Sequence, residues 1–461
     1  MSKGDTSVTD AALSGLGKML SGRVRLPGSI GYERSAPFNS ALISQPAGVV
    51  TVADQSDIAT TIRFAADHGM RVAVQATGHG TMAQGDDVLV IHTGDLQSCS
   101  VDPDRRLARV APGVRAGRLV RAAADHGLAA LTGSSPGVGV VGYLSGGGIG
   151  PLSSTFGVSS DYVRSLEVIT GDGVVRRVSL DEHPDLFWAM RGGRGALGVI
   201  TAVEVELPAL TSVYAGTVVF PPEHMEAVLR TWADWSAELP DAATTSLTMM
   251  NLPASPAVPA PLAGRPTIAV SYASVASPQR AEALFAPMRA AGTPILGETG
   301  QLAYADLASI FNEPTDPMPV CRDHVIIGEL TTPVVDALLS AAGPTSSTTV
   351  TTVEIRRLAG AFAQDPPLSA VSHRDNGYAL TATGVVSPDA GDVQADVNKV
   401  MAAVAPWTSP TLVRNFTDTD DPETLRKSYS SDTVARLLAM SKNYDPSRVM
   451  AVNGEITSTA R

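Results

Sequence analysis

Residues 131–152 read LTGSSPGVGVVGYLSGGGIGPL, and eight of these twenty-two are glycine. Glycine lets backbone approach another group closely, but it weakens helices and strands. A segment this rich in glycine must therefore lie against something. Either a flat or phosphorylated ligand sits there, or the turns pack tightly on a core.

Two motifs overlap in the stretch, and neither finds its context. Gly133-Ser134-Ser135-Pro136-Gly137 fits G-x-S-x-G, the nucleophile elbow of hydrolases. There the N–H after the serine helps hold the oxyanion. Here that residue is Pro136, which has no N–H. Gly137-x-Gly139-x-x-Gly142 fits the dinucleotide fingerprint, with Asp161 at about the expected distance. That motif should open a helix carrying pyrophosphate at its N-terminus. After Gly142 the chain continues YLSGGGIGPLS, which predicts no stable helix.

A second segment, VQATGHGTMAQGDDVLVIHTGDL (74–96), places His79 between Gly78 and Gly80 just after a strand pattern. Neighbouring N–H groups in such a turn can form a nest for phosphate. Around it the chain alternates. VVTVA (49–53) reads as a strand and SDIATTIRFAADHG as a helix, with Ser56 as N-cap and Gly69 just past its end. RVAVQATGHG, DVLVIHTGDL and LARVAPGV read as strands, and RAGRLVRAAADHGLAA as a second helix. SLEVITGDGVVRRVS reads as a hairpin and LGVITAVEVELPAL as a long strand.

Beyond residue 211 come two β-α-β-like passages. One holds a helix with Met225, Val228, Leu229, Trp232 and Leu239 on one face, and ASPAVPAPLAGRP (254–266) is a surface loop. VTTVEIRRL and GYALTATGVV read as strands. The tail, RLLAMSKNYDPSRVMAVNGEI, reads as a helix stopped by Asp-Pro and then a short extended segment.

Composition narrows the function classes. A chain of 461 residues exceeds one ordinary core, so two or three domains are expected. Net charge is -12, with no basic stripe, which argues against a nucleic-acid partner. Cys99 and Cys321 are the only cysteines and stand in no metal spacing, so neither a metal site nor a disulfide scaffold is expected. No run approaches a membrane helix and no secretory h-region is seen, so the expectation is a cytoplasmic protein without a membrane partner.

Taken together, four segments resemble the flavin-linked oxidases of the vanillyl-alcohol oxidase/para-cresol methylhydroxylase (PCMH) fold, in the berberine-bridge-enzyme-like and 6-hydroxy-D-nicotine-oxidase-like branch. They are QPAGVVTVADQSDIATTIRFAADHGMRVAVQATGHG, TGSSPGVGVVGYLSGGGIGPLSSTFGVSSDYV, HPDLFWAMRGGRGALGVITAVEVEL and RLLAMSKNYDPSRVMAVNGEI. The resemblance implies an α+β fold. A two-part PCMH-type FAD-binding domain (1–210, with a C-terminal return at 406–461) flanks a substrate domain (211–405) built on an antiparallel sheet with helices.

Site residues follow by position. His79 matches the histidine joined covalently to the flavin's C8 methyl. Ser135 stands where doubly linked members have a cysteine, so one link is expected. Ala76, Thr77, Gly78, Gly80 and Thr81 match the pyrophosphate turn. Thr132, Gly133, Ser134, Gly139, Gly142, Gly148 and Gly150 match the flavin loop. Val199 and Ile200 match the adenine side, and Asn453 lies in the C-terminal return.

Two departures stand out. The family's Y-x-N-Y-x-D is Val413-Arg414-Asn415-Phe416-Thr417-Asp418, and Phe416 cannot take a proton as the second tyrosine can. The commoner G-N-F-G-I-V-T is Gly195-Ala196-Leu197-Gly198-Val199-Ile200-Thr201.

Another base is then needed. Side chains alternate along a strand, so Thr352, Glu354 and Arg356 share one face while Val353 and Ile355 face a core. Glu354 and Arg356 match the family's E-x-R segment above the flavin, either as catalytic groups or as a structural pair. Tyr143 and Tyr378 are further candidates.

The activity implied is oxidation of a C–H bond next to O or N in a small or natural-product-like substrate. Hydride goes to flavin N5, O2 is the acceptor and H2O2 the product. Val138 and Val140 are small enough to leave O2 a path. Two alternatives stay open: a flavin-N5-oxide-type monooxygenase acting on a polyketide-like substrate, and a flavin-binding protein without turnover. A monomer or homodimer is expected.

Overall fold

The computed structural model describes residues 10–80, 82–364, 369–388, 390–417, 419, 421–452 and 456. Thr81, Asp418 and Asn453 lie outside the described residues. Three sheets organise the chain.

The first sheet holds β1 (Arg23–Arg25), β2 (Gly48–Thr51), β3 (Arg71–Gln75) and β4 (Val88–His92) in the order β1-β2-β4-β3. β4 runs parallel to both neighbours, and all five of its residues are buried. A strand covered on both faces reads as an unbroken apolar run. The helix Gln55–Asp67 links β2 to β3. Its N-cap is Asp54, whose carboxylate accepts from the N–H groups of Ser56 and Asp57, so the expected cap at Ser56 is corrected by two residues. Both residues are good caps, and the carboxylate reaches two orphan N–H groups at once. Gly69 leaves this helix at φ +66°, a conformation that favours glycine.

The second sheet holds β5 (Cys99–Asp102), β6 (Leu107–Val110), β7 (Val163–Thr170), β8 (Val175–Ser179) and β9 (Gly198–Glu206), all antiparallel, ordered β5-β6-β9-β7-β8. Val50, Leu89 and Ile91 of the first sheet share a core with Ile169 and Val199 of the second. The helix Ser431–Tyr444 returns here and buries Leu437, Met440 and Tyr444 against this part of the chain. After it, Met450 bridges to Val72, but Ala451 and Val452 are helical and not extended as expected.

The third sheet holds β10 (Ser212–Phe220), β11 (Ala243–Asn251), β12 (Pro266–Ser274), β13 (Thr299–Ala303), β14 (Val320–Ile327), β15 (Thr352–Leu358) and β16 (Gly377–Val385). Its order is β13-β10-β12-β11-β15-β16-β14, antiparallel throughout. Four helices, Met225–Ala237, Pro278–Ala290, Thr332–Ala342 and Val393–Val404, supply the apolar residues that cover one face. Met225, Val228, Leu229 and Trp232 do so as the periodicity predicts, while Leu239 is buried beyond the helix end. On the other face Val213, Ala215 and Ala273 share a core with Ala129 and Leu152.

The glycine-rich stretch corrects one expectation. A six-residue helix, Val140–Ser145, spans Gly142 and stops at Gly146. Val140, Val141 and Leu144 are buried in the core under the second sheet, and that burial outweighs poor propensity. No strand precedes this helix, so the dinucleotide fingerprint still lacks its context.

Candidate functional site

β3 ends at the buried Gln75 and then opens into the turn 76–80. Gly78 takes φ +76° there, and its carbonyl accepts from Phe38 N–H at 2.9 Å. The His79 ring stacks on Phe38 with centroids 3.9 Å apart and planes 16° off parallel. Its Nδ1 lies 2.9 Å from Thr77 Oγ1. Burial, reinforced by the positive charges of Arg115 and Arg322, pulls the imidazole down to about 4. His79 is therefore neutral at ordinary pH.

The second loop runs alongside the first. Gly139 N–H donates to Thr77 Oγ1 at 3.2 Å. Behind the loop, the carbonyls of Pro136 and Val138 accept from Gly117 and Ala116. Among the described residues, the N–H groups of Thr77, Gly78, His79 and Gly80 find no protein acceptor. The same holds for those of Gly133, Ser134 and Ser135. Two strips of unpaired N–H on facing turns, with a neutral histidine between them, fit the phosphates and ring of a dinucleotide flavin.

Two of the loop's glycines answer to a different flat partner. A Cβ on Gly148 would stand 2.6 Å from the Tyr143 ring and one on Gly133 3.2 Å from it, while one on Gly150 would run into the Thr132 carbonyl oxygen. The Tyr143 hydroxyl lies 3.1 Å from Ser159 Oγ. Burial raises the phenol well above its ordinary value, so Tyr143 stays protonated. Gly142 differs: nothing lies within 4 Å of the position its Cβ would take. Val199 and Ile200 are buried in β9, paired with Ile169 and Val168.

The uncovered face of the third sheet supplies the opposite wall. Arg356 Nε lies 2.9 Å from Glu354 Oε1, and Arg356 Nη2 lies 3.8 Å from Glu313 Oε1. Ser134 Oγ donates to the same Glu313 oxygen at 2.7 Å. The chain of groups Glu354–Arg356–Glu313–Ser134 therefore crosses from the sheet to the glycine-rich loop. Burial pulls the Arg356 guanidinium down, but Glu354 and Glu313 outweigh it and hold the group above its usual value.

Phe416 sits between Arg356 and His324 of β14. The Arg356 guanidinium carbon is 5.4 Å from its ring centre, and the His324 ring meets it edge-on at 6.4 Å. Asn415 beside it accepts from Gly148 N–H at 2.8 Å and donates to the Tyr143 carbonyl at 3.2 Å.

The structure thus brings His79, the two turns, Tyr143, Glu354 and Arg356 together around the glycine-rich loop. It does not bring Tyr378, the correction to that candidate. Tyr378 is opposite Arg357 in the register and points to the helix-covered face, 3.0 Å from Ser236 and stacked edge-on with Trp232. Alternation along β16 is the reason: Ala379 and Thr381, opposite Arg356 and Glu354, face the cleft instead.

Sequence reading missed Glu313, Arg322 and His324. Glu313 comes from a loop and carries no motif. Arg322 and His324 alternate along β14, a pattern that was present but unread. His324 is 4% exposed, and its Nε2 has no partner among the described residues. Among the described residues, no cluster of His, Cys, Asp and Glu could hold a metal ion, and no helix is long and apolar enough to cross a membrane.

A family model described as an FAD binding domain matches residues 46–179. The (R)-6-hydroxynicotine oxidase of Paenarthrobacter nicotinovorans is 30% identical over 299 residues, 63% of each chain. The glucooligosaccharide oxidase of Sarocladium strictum is 30% identical over 207 residues, 43% of this chain and 41% of that one. The matched regions thus span less than two thirds of these relatives' lengths.

Among solved structures, 6-hydroxy-D-nicotine oxidase from Arthrobacter nicotinovorans superposes with a TM-score of 0.82 at 24% identity, covering 94% of this chain and 97% of that one. Physcomitrella patens BBE-like 1 gives 0.84 at 18% identity, covering 97% of this chain and all of the other. Residues 46–179 thus match an FAD binding domain, and the chain shares the fold of these two solved structures. Over the matched regions the chain is similar to FAD-dependent oxidases.

Proposed function

We propose that the chain is an FAD-dependent oxidase whose cofactor is joined by a single covalent link to His79. Its substrate is a small or natural-product-like molecule, oxidised at a C–H bond next to O or N, with O2 as acceptor and H2O2 as product. Residues 1–210 and 406–461 would bind the cofactor and 211–405 the substrate. The observation that carries this reading is the convergence of the neutral His79, two turns with unpaired N–H groups and the Glu354–Arg356 pair on one cleft.

The turns 76–80 and 132–139 would hold the cofactor, with Ser135 in the position where a cysteine would be needed for a second link. When bound, FAD supplies a two-electron acceptor. Glu354 would take the O–H or N–H proton of the substrate. Arg356 fixes the carboxylate's position and offers further donors to the substrate. Tyr143, protonated, serves as a hydrogen-bond donor and not as a base. Phe416 gives an apolar surface on which a substrate ring or chain can rest.

The test is the intact mass of acid-denatured protein. A gain of one FAD is expected, and replacing His79 by alanine should abolish it. An anaerobically bleached flavin that yields one H2O2 per substrate on aeration would support the oxidase. ¹⁸O from O2 entering the product would replace it with a monooxygenase, and a flavin that no substrate bleaches would leave a binding protein.

A further inference from the structure

We infer that Glu313 is a specificity-determining residue: it takes up the charge of Arg356 and Arg322 and turns the site toward substrates that carry no net negative charge. The inference deepens the proposed function by naming the substrate class, and it rests on that reading.

The charges come from two strands and a loop. Side chains alternate along β14, so Arg322 and His324 share a face. His324 is opposite Thr381, which is opposite Glu354, so this is the face from which Glu354 and Arg356 look out. Arg322 is exposed there, yet burial pulls its guanidinium down. The side chain therefore stands in a hollow walled by protein and not in open solvent. Glu313 opposes that pull more than Glu354 does, and Arg356 adds to it. Arg356 Nη2 lies 3.8 Å from Glu313 Oε1. One carboxylate thus serves both arginines, and the Ser134 hydroxyl, donating to the same oxygen at 2.7 Å, holds it in place.

The balance of charge selects the substrate. Arginine stays charged in proteins. Among these four groups Arg322 and Arg356 are matched by Glu313 and Glu354, while His79 and His324 are neutral and Tyr143 is protonated. An anionic group entering here would find no spare positive charge and would lie against two carboxylates. Glu354, as proton acceptor, loses its charge when it takes the substrate's proton. Glu313 keeps its own and is the constant counter-charge. A substrate that gives up one hydride and one proton leaves with its charge unchanged, so a neutral molecule departs as a neutral product.

The experiment is a titration of the holoprotein with benzoate and with benzamide, its uncharged isostere, read as the change in flavin absorbance. In the natural sequence benzoate is expected to bind no more tightly than benzamide. Glu313→Gln keeps the shape and removes one negative charge. Benzoate should then bind about tenfold tighter or more, the contribution of one charge-assisted hydrogen bond, while benzamide should not change. Glu313→Asp keeps the charge and should restore weak benzoate binding. A gain in affinity cannot come from a folding defect. Benzoate bound more tightly than benzamide in the natural sequence overturns the inference. So does a Glu313→Gln protein with unchanged benzoate affinity, or a Glu313→Asp protein that binds benzoate as tightly as the Gln variant. These results leave the flavin oxidase reading intact. Protein that carries no FAD before any titration defeats that reading, and this inference with it.

Discussion

At the scale of single residues, glycine means two different things in this chain. Gly148 sits at φ +88°, and a Cβ there would meet the Tyr143 ring at 2.6 Å. Gly148→Ala is expected to destabilise by about 2–4 kcal/mol, combining backbone strain with overpacking. Gly142, inside a helix with open space beside it, predicts the opposite. Gly142→Ala should leave the protein unchanged or up to about 1 kcal/mol more stable. Urea unfolding of both variants checks the pair, and equal destabilisation would refute the distinction. The sequence shows the same letter at both places. It announced that the backbone must approach something flat, but not that for Gly133 and Gly148 the flat group is a tyrosine of the same loop.

At the scale of elements, β15 divides its labour between its faces. Ile355 is fully buried under the helices, while Glu354 and Arg356 look into the cleft. Ile355→Ala should cost about 2–5 kcal/mol of stability. Glu354→Gln should change stability by less than about 1 kcal/mol yet lower turnover on the order of a hundredfold or more, the usual contribution of a positioned base. Calorimetry and stopped-flow flavin reduction read the two effects separately, and a Gln variant with full turnover would remove Glu354 from the chemistry. This division was legible because period-two alternation needs no knowledge of neighbours. Tyr378 was not legible in the same way. Its face follows from alternation along β16, where Tyr378, Leu380 and Ala382 join the helix-covered core, but a tyrosine suits a core as well as a site, so the residue type alone did not exclude it.

At the scale of the whole molecule, His324 reports on the meeting of the third sheet with the C-terminal return. Burial, with Arg322 and Arg414 nearby, pulls its imidazole from 6.5 to about 4. Asp323, whose carboxylate accepts the His324 backbone N–H, adds the one neighbouring negative group on its strand. The unfolded chain therefore binds a proton between about pH 6.5 and 4 that the folded chain refuses. Stability contributed by neutral His324 is full above 6.5 and is lost as pH falls toward 4. Melting temperature should drop across that window, and His324→Gln should flatten the slope. An unchanged slope would show that the ring is not held neutral.

The sequence by itself determined what local chemistry can determine. It set the alternation of the strands, the glycine turns around His79, the failure of the hydrolase and dinucleotide motifs, and the shared face of Glu354 and Arg356. Tertiary structure alone decided which groups meet. Glu313 reaches Ser134 across 179 positions, Asn415 reaches Gly148 across 267, and His324 finds Phe416. Backbone period and propensity act over a few residues. A cleft is assembled by packing sheets whose strands are far apart in the chain, and no local pattern encodes that distance.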